Sequence, residues 1–271
     1  MYAELGRRDR SRLTPATLRR INATLSSALT TAVRRGLIER NPTATVELPR
    51  PHRARPTAWT AEEFSTFLRA TQHDRLWLLF LMLGLLGLRR GEALALRWSE
   101  VDLVEQRLRV ERSTVKVARQ LVTGPPKSER GGRTLALDTR LCGWLAEHMT
   151  TQEQEARQNS ASPPASERAR PTLVFTTPTG TQLDPAYVSR RFDSLQRSMD
   201  VPRIRLHDLR HTSASIGLSS GETLLEVSRR LGHSSITITA DVYSHISPTT
   251  AQHSATRLAR CVLTDGLGGQ A

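Results

Sequence analysis

Two histidines stand four residues apart in RLHDLRHTSAS, residues 205–215, with Asp208 and Arg210 between them. Residues at i and i+4 share a helix face, and His207 and His211 at that spacing are a pair a zinc ion could use. Three features argue against a metal. Arg210 lies three residues from His207 on nearly the same face, where its fixed charge repels a dication. Asp208 occupies the place where the helix-borne zinc pattern carries glutamate, and it is one methylene shorter. Spacing indicates no third ligand. The same residues suit a phosphodiester better. His207 and Arg210 project together at i and i+3. They set a planar fork for two phosphate oxygens beside a group that exchanges protons near neutral pH.

A second guanidinium fork is available in GLLGLRRGEALALRW. There Arg89 is expected to end a fully buried helix, a position costly for a charge unless it is paired or faces a site. Glu92, three residues on, can orient or neutralise one of the pair Arg89 and Arg90. Further along, RRLGHSSITITADVYSH places His233 just past a helix end and Tyr243 ten residues later, in a chain with three tyrosines. The 39 basic residues include two lysines, Lys116 and Lys127, so 37 are arginines. Lysine changes protonation state near neutral pH when its surroundings help, whereas arginine does not. Lys127 sits in a glycine- and proline-rich loop, Lys116 in a strand pattern.

The formal net charge of +13 and pI near 11.2 suit a polyanion, with nucleic acid ahead of an anionic membrane. Cys142 and Cys261 make neither a disulfide framework nor a four-ligand zinc site. The most apolar run, residues 76–88, falls short of the ~20 residues that span a bilayer. No signal pattern opens the chain, and a cytoplasmic protein is expected.

The elements that must position these residues read as follows. Residues 14–36 form an amphipathic helix, with Thr14 as N-cap, Pro15 in the first turn and Gly36 at the stop. Proline-rich residues 41–59 read as a linker. Thr60 and Glu63 then match a capping box, and Trp59 with Phe64 the hydrophobic staple around it. A core helix over 76–88 and a short helix through Ala93 and Leu96 follow. Strands are expected at 107–110, 114–118 and 133–137, the last two separated by a loop over 119–132. Residues 150–171 are polar enough to read as a flexible surface insertion. Three helices come next: one begins at Asp184-Pro185, one covers 208–219, and one covers 222–231 and ends at Gly232. Ser247 and Pro248 open a last helix.

In chain order the sequence offers G-L-R-R-G-E, P-K-S-x-x-G-G-R, H-D-L-R-H-T, L-G-H-S-S and D-V-Y-S-H. This combination resembles the tyrosine recombinases, the phage-integrase class of site-specific recombinases, over about residues 14–260. The resemblance implies a mainly α fold with a small antiparallel β-sheet (α+β). The catalytic domain would cover 59–262, and 50–58 would be a linker. Residues 1–49 would be a partial all-α core-binding domain lacking its earlier helices, and 263–271 a tail. It implies that Tyr243 attacks a DNA phosphate, forming a 3′-phosphotyrosine link and freeing a 5′-hydroxyl. Arg89 and Arg210 would clamp the non-bridging oxygens, and Lys127 would protonate the leaving oxygen. His207 would act as general acid/base, and His233 would hydrogen-bond the phosphate or assist proton movement. His211 and His245 would pack or support. Arg19, Arg20 and Arg90 are candidate contacts to the DNA backbone.

No cofactor and no metal are implied, because the phosphotyrosine bond conserves the energy of the bond broken. The partners implied are a double-stranded recombination site, a homotetramer on that DNA, and an excisionase or host DNA-bending factor; no membrane is involved. Two other readings stay open at this point. One is a shortened integrase remnant that binds DNA without efficient recombination. The other is a type IB topoisomerase sharing the chemistry.

Overall fold

The computed structural model describes residues 13–49, 57–125, 131–159 and 172–232. The chain divides into two compact units, Met1–Arg55 and Pro56–Ala271.

In the first unit, helix α1 (Pro15–Arg34) begins where the Thr14 hydroxyl accepts the Thr17 amide, with proline in the first turn. Past the helix, Gly36 takes the left-handed conformation (φ 68°). Within α1, Leu18 alone is buried. Residues 41–49, expected to belong to a linker, instead fold back on the helix. The Asn41 amide donates to the Ser26 carbonyl, the Ser26 hydroxyl and the Thr30 hydroxyl, and its carbonyl oxygen accepts from the Thr43 amide and hydroxyl. Arg19 closes the segment by donating to the carbonyls of Leu48 and Pro49.

The second unit is built on a buried aromatic cluster. Helix α2 (Ala61–Ala70) opens with the Thr60/Glu63 capping box. Trp59 and Phe64 are both buried, with ring centroids 6.5 Å apart, and Phe67, Phe80 and Phe192 complete the cluster. Helix α3 (Trp77–Leu86) is apolar on every side, and eight of its ten residues are buried. Full burial of each such side chain contributes about 1.5–3 kcal/mol. A methyl at Gly84 would stand 2.1 Å from the Phe64 ring, so glycine there lets α2 and α3 close up.

Helix α4 (Arg90–Ala95) leads into a short 3-10 turn and three antiparallel strands: β1 (Val101–Asp102), β2 (Arg107–Val110) and β5 (Arg133–Ala136), ordered β1-β2-β5. Between β2 and β5 rises a separate hairpin of β3 (Ser113–Val117) and β4 (Gln120–Gly124), in register Val115 opposite Val122. Strand β4 falls within the loop expected over 119–132. Its turn residues Ala118 and Arg119 are both left-handed (φ 45° and 74°). Asn-Gly is the usual sequence signal for that geometry, and it is absent here.

Helix α5 (Thr139–Asn159) corrects a second expectation. Residues 150–159 are its last turns, not the start of a flexible insertion. The polar composition is real, but it is anchored. Gln152 is buried, donating to the Val174 carbonyl and accepting from the Trp98 indole, while Glu155 holds Arg75. Helices α6 (Pro185–Leu195), α7 (Asp208–Ser219) and α8 (Leu224–Leu231) complete the unit. Helix α7 packs on α3, and α8 packs on α7 and touches β5. Among the described residues no helix is long and apolar enough to cross a membrane. The architecture is α+β, mainly helical with small antiparallel sheets. The tail over 263–271 and the expected helix after Ser247 lie outside the described residues.

Candidate active site

Three chain segments converge on a fourth, the C-terminal end of α8. The first leaves α3 through Gly87, left-handed at φ 64°, where an added Cβ would stand 2.2 Å from a Leu231 methyl. Glycine is required twice over here, by conformation and by space. Two residues on, Arg89 is the extended N-cap residue of α4, so it begins a helix and does not end one as its sequence context implied. Glu92 accepts the Arg89 backbone N–H at 2.9 Å and its Nη1 at 2.7 Å. The remaining terminal nitrogen of Arg89, Nη2, donates to the Gly232 carbonyl at 3.2 Å.

The second segment is β5, whose first residue, Arg133, reaches the same carboxylate. Arg133 donates to Glu92 Oε2 at 2.9 Å, to the Arg230 carbonyl at 2.6 Å and to the Gly131 carbonyl at 3.1 Å. Burial, the largest influence on Glu92, would raise its pKa. The hydrogen bond and charge of Arg133, joined by the backbone and side-chain hydrogen bonds of Arg89, outweigh it and hold the carboxyl below its ordinary value.

The third segment is α7. Asp208, its first residue, accepts a two-pronged bond from Arg205 at 3.0 and 2.8 Å and the Arg205 backbone N–H at 2.9 Å. The carboxylate that resembled part of a metal site is thus committed to Arg205 at the N-terminal end of its own helix. Arg210 is buried and donates to the carbonyls of Gly87 at 2.6 Å and Leu231 at 2.5 Å. Solvent reaches His207, yet surrounding protein still lowers its pKa, partial desolvation acting first and the Arg210 charge next. The His211 ring meets that of His207 edge-on at 5.8 Å, and its pKa is likewise lowered, by burial and then by His207.

The fourth segment is the C-terminal end of α8. Arg230 fastens it to α3 and α7 through the carbonyls of Leu85 and Ser213, and pairs with Glu222 at 2.7 Å. Arg210 and Arg89 then reach the successive carbonyls of Leu231 and Gly232. Gly232 is left-handed (φ 66°) and ends the helix one residue before His233.

Of the residues singled out in the sequence, Arg89, His207 and Arg210 are therefore brought together. Lys127, His233 and Tyr243 lie outside the described residues. Lys116, the other lysine, pairs with Asp184, the N-cap of α6. Arg90 is exposed but ties α4 to α6 through the Pro185 carbonyl and the Ser189 hydroxyl. Arg19 and Arg20 are exposed on the first unit, with Arg19 engaged as described above. Arg133 was not singled out. A charged residue opening a short strand reads as a solvent-facing end, and only its buried partner reveals otherwise. Among the described residues no group of three His, Cys, Asp or Glu side chains is placed to hold a metal ion.

Arg210, buried, and Arg89, partly exposed and paired with Glu92, stand beside the His207 imidazole, an arrangement that can hold a phosphate group. The sequence profile of the phage integrase family matches residues 57–250. An ICEBs1 integrase of Bacillus subtilis is 28% identical over 243 residues, covering 88% of this chain and 64% of the relative. A XerC-like tyrosine recombinase of Caldanaerobacter subterraneus is 29% identical over 247 residues, covering 86% and 63%. The chain thus spans under two thirds of the length of these curated relatives. Among solved structures, the Tn1549 transposon integrase in complex with a circular intermediate DNA superposes with a TM-score of 0.75. It is 18% identical, with 95% of this chain and 83% of that one covered, and it shares this fold.

Proposed function

From a chain that belongs to the phage integrase family, we propose a site-specific DNA recombinase that cleaves and rejoins strands through a 3′-phosphotyrosine intermediate. Tyr243 is the nucleophile. Its oxygen attacks the scissile phosphorus, the bond to the 5′-oxygen breaks, and that oxygen leaves with a proton from Lys127. Religation reverses these steps on a new 5′-hydroxyl, so no external energy source enters.

The observation that carries this reading is the convergence of Arg89 and Arg210 from α4 and α7 on the last carbonyls of α8, with His207 beside them. Charge grows on the non-bridging oxygens as the five-coordinate transition state forms. Guanidinium groups held by the protein stabilise it with little rearrangement, Arg89 exchanging its 3.2 Å bond to Gly232 for the phosphate. His207, kept neutral at pH 7 by its lowered pKa, can accept the tyrosine proton during attack and return it on religation. His233 follows Gly232 directly and would reach the same phosphate. The double-stranded partner fits the net charge of +13. Residues 1–49 are read as the end of a core-binding domain, Arg19, Arg20 and Arg90 as contacts to the DNA backbone, and the assembly on DNA as a tetramer.

Covalent trapping tests the proposal. The chain is incubated with nicked duplexes taken from the flanks of its own locus, at low salt with EDTA present, and compared with Tyr243→Phe on denaturing gels. A tyrosine-dependent adduct that forms despite EDTA is the expected result. Binding without an adduct would instead make this a DNA-binding protein without turnover.

A further inference from the structure

The buried carboxylate of Glu92 serves two guanidinium groups that differ in exposure. The Arg133 side chain is 7% exposed and spends Nε and both terminal nitrogens on interior acceptors: the Arg230 carbonyl, the Gly131 carbonyl and Glu92. The Arg89 side chain is 38% exposed and shares Glu92 from the site side. One guanidinium on one buried carboxylate would form a neutral pair, and an incoming phosphate would have to compete with Glu92 for Arg89. Two guanidinium groups on one carboxylate carry a net charge of +1. Because Arg133 is enclosed, the surplus lies with the accessible member, Arg89. Its bond to Gly232 is the longest it makes, at 3.2 Å, and is the one a phosphate oxygen can replace.

We propose that Arg133 is a positioning residue that shares Glu92 from the interior and so leaves Arg89 oriented and charged toward the phosphate. The assignment rests on the recombinase reading above. It also accounts for why an arginine, with three separately directed nitrogens, occupies the first position of β5. The residue joins the Arg89 cap, the last turn of α8 and the backbone just after the segment that carries Lys127.

A double-mutant cycle tests it on the full chain, with Arg133→Met, Glu92→Gln and the pair combined. Two quantities are read: the rate of Tyr243-dependent adduct formation on the nicked duplex, and duplex affinity in the Tyr243→Phe background. Urea unfolding shows which variants are folded. With Glu92 present, Arg133→Met slows adduct formation and weakens affinity by about tenfold or more, a coupling within the range of contacting residues. With Glu92→Gln in place, the same change costs less than about threefold, because no carboxylate remains to be shared. Arg133→Lys, which keeps the charge, recovers part of the rate.

A residue that only supports the fold would cost the same factor with or without Glu92, and that additive result overturns the assignment. Should Arg133→Met alone not fold, the comparison of Glu92→Gln with the double variant decides. The double variant leaves no uncompensated buried charge, and in Glu92→Gln the amide oxygen still accepts from Arg133; a tenfold cost between those two overturns the proposal. A parent chain that neither binds nor cleaves duplex DNA would remove the recombinase reading itself. A parent chain that cleaves, with additive variants, removes only the role given to Arg133.

Discussion

Arg210 and Leu231 are joined by a hydrogen bond of 2.5 Å from the guanidinium to the last helical carbonyl of α8, while the other arm of Arg210 holds Gly87 at the exit of α3. One buried side chain therefore ties two helix ends together. Helix ends have carbonyls without intrahelical partners, and a guanidinium offers donors in a fixed fork that can serve two of them. The phosphate clamp proposed above would draw on an arginine whose bonds already close α3 and α8.

That double duty separates the two site arginines. Arg210→Ala leaves the Gly87 and Leu231 carbonyls buried without their donor and is expected to destabilise the unit by about 2–5 kcal/mol. Arg89→Ala costs less than half as much, since Arg133 still compensates Glu92. Both abolish adduct formation, by about 100-fold or more. Urea unfolding beside single-turnover cleavage checks this, and a larger stability loss for Arg89→Ala would contradict the arrangement.

Gly87→Ala should act on the same junction from the backbone side. Its φ of 64° disfavours a side chain, and its Cβ would meet Leu231 at 2.2 Å. A loss of about 1–3 kcal/mol is expected. The Arg210 acceptor moves with it, so cleavage should fall more than stability alone accounts for. Thermal melting and adduct rates on the same preparation test both halves.

That Arg89, His207 and Arg210 lie near one another was legible because their types and spacing point to one anion. The capped helices were legible because Thr14, Thr60 and Asp184 are each followed by the residues a cap needs. What escaped did so for physical reasons. Strand β4 escaped because Ala118 and Arg119 adopt a turn geometry ordinarily taken by Asn-Gly. Residues 150–159 escaped because their anchors, Gln152 and Glu155, are polar, and polarity alone cannot show that a side chain is buried against a carbonyl or an arginine. Arg133 escaped because its partner, Glu92, lies 41 residues earlier in the chain.

The hairpin turn gives a prediction in the stabilising direction. Replacing Ala118-Arg119 by Asn-Gly supplies residues that adopt left-handed φ at little cost. A gain of about 0.5–1 kcal/mol is expected if the hairpin unfolds with the rest of its unit. Amide exchange across β3 and β4 reads the local effect directly. Unchanged protection at Val115 and Val122 would show that the turn carries no strain.

Acidification should weaken the second unit through its histidines. His207, His211 and His148 each have a pKa lowered mainly by burial, so the folded chain binds fewer protons than the unfolded chain. Stability from these groups is full above the unfolded value of about 6.5 and falls as pH drops through it toward the lower folded values. The carboxylates of Glu92 and Asp208, held below their ordinary range, lose their contribution only at lower pH. A comparison of pH 7.5 with pH 5.5 therefore reports chiefly on histidine. Urea midpoints are expected to drop over that interval, and His207→Asn with His211→Asn should flatten the drop, leaving the part that belongs to His148. Arg89, Arg205 and Arg210 face the first two rings, so a bound dianion such as sulfate should offset their charge, favour protonation of His207 and restore part of the midpoint at pH 5.5. A midpoint that sulfate raises equally in Arg89→Ala would place the anion elsewhere.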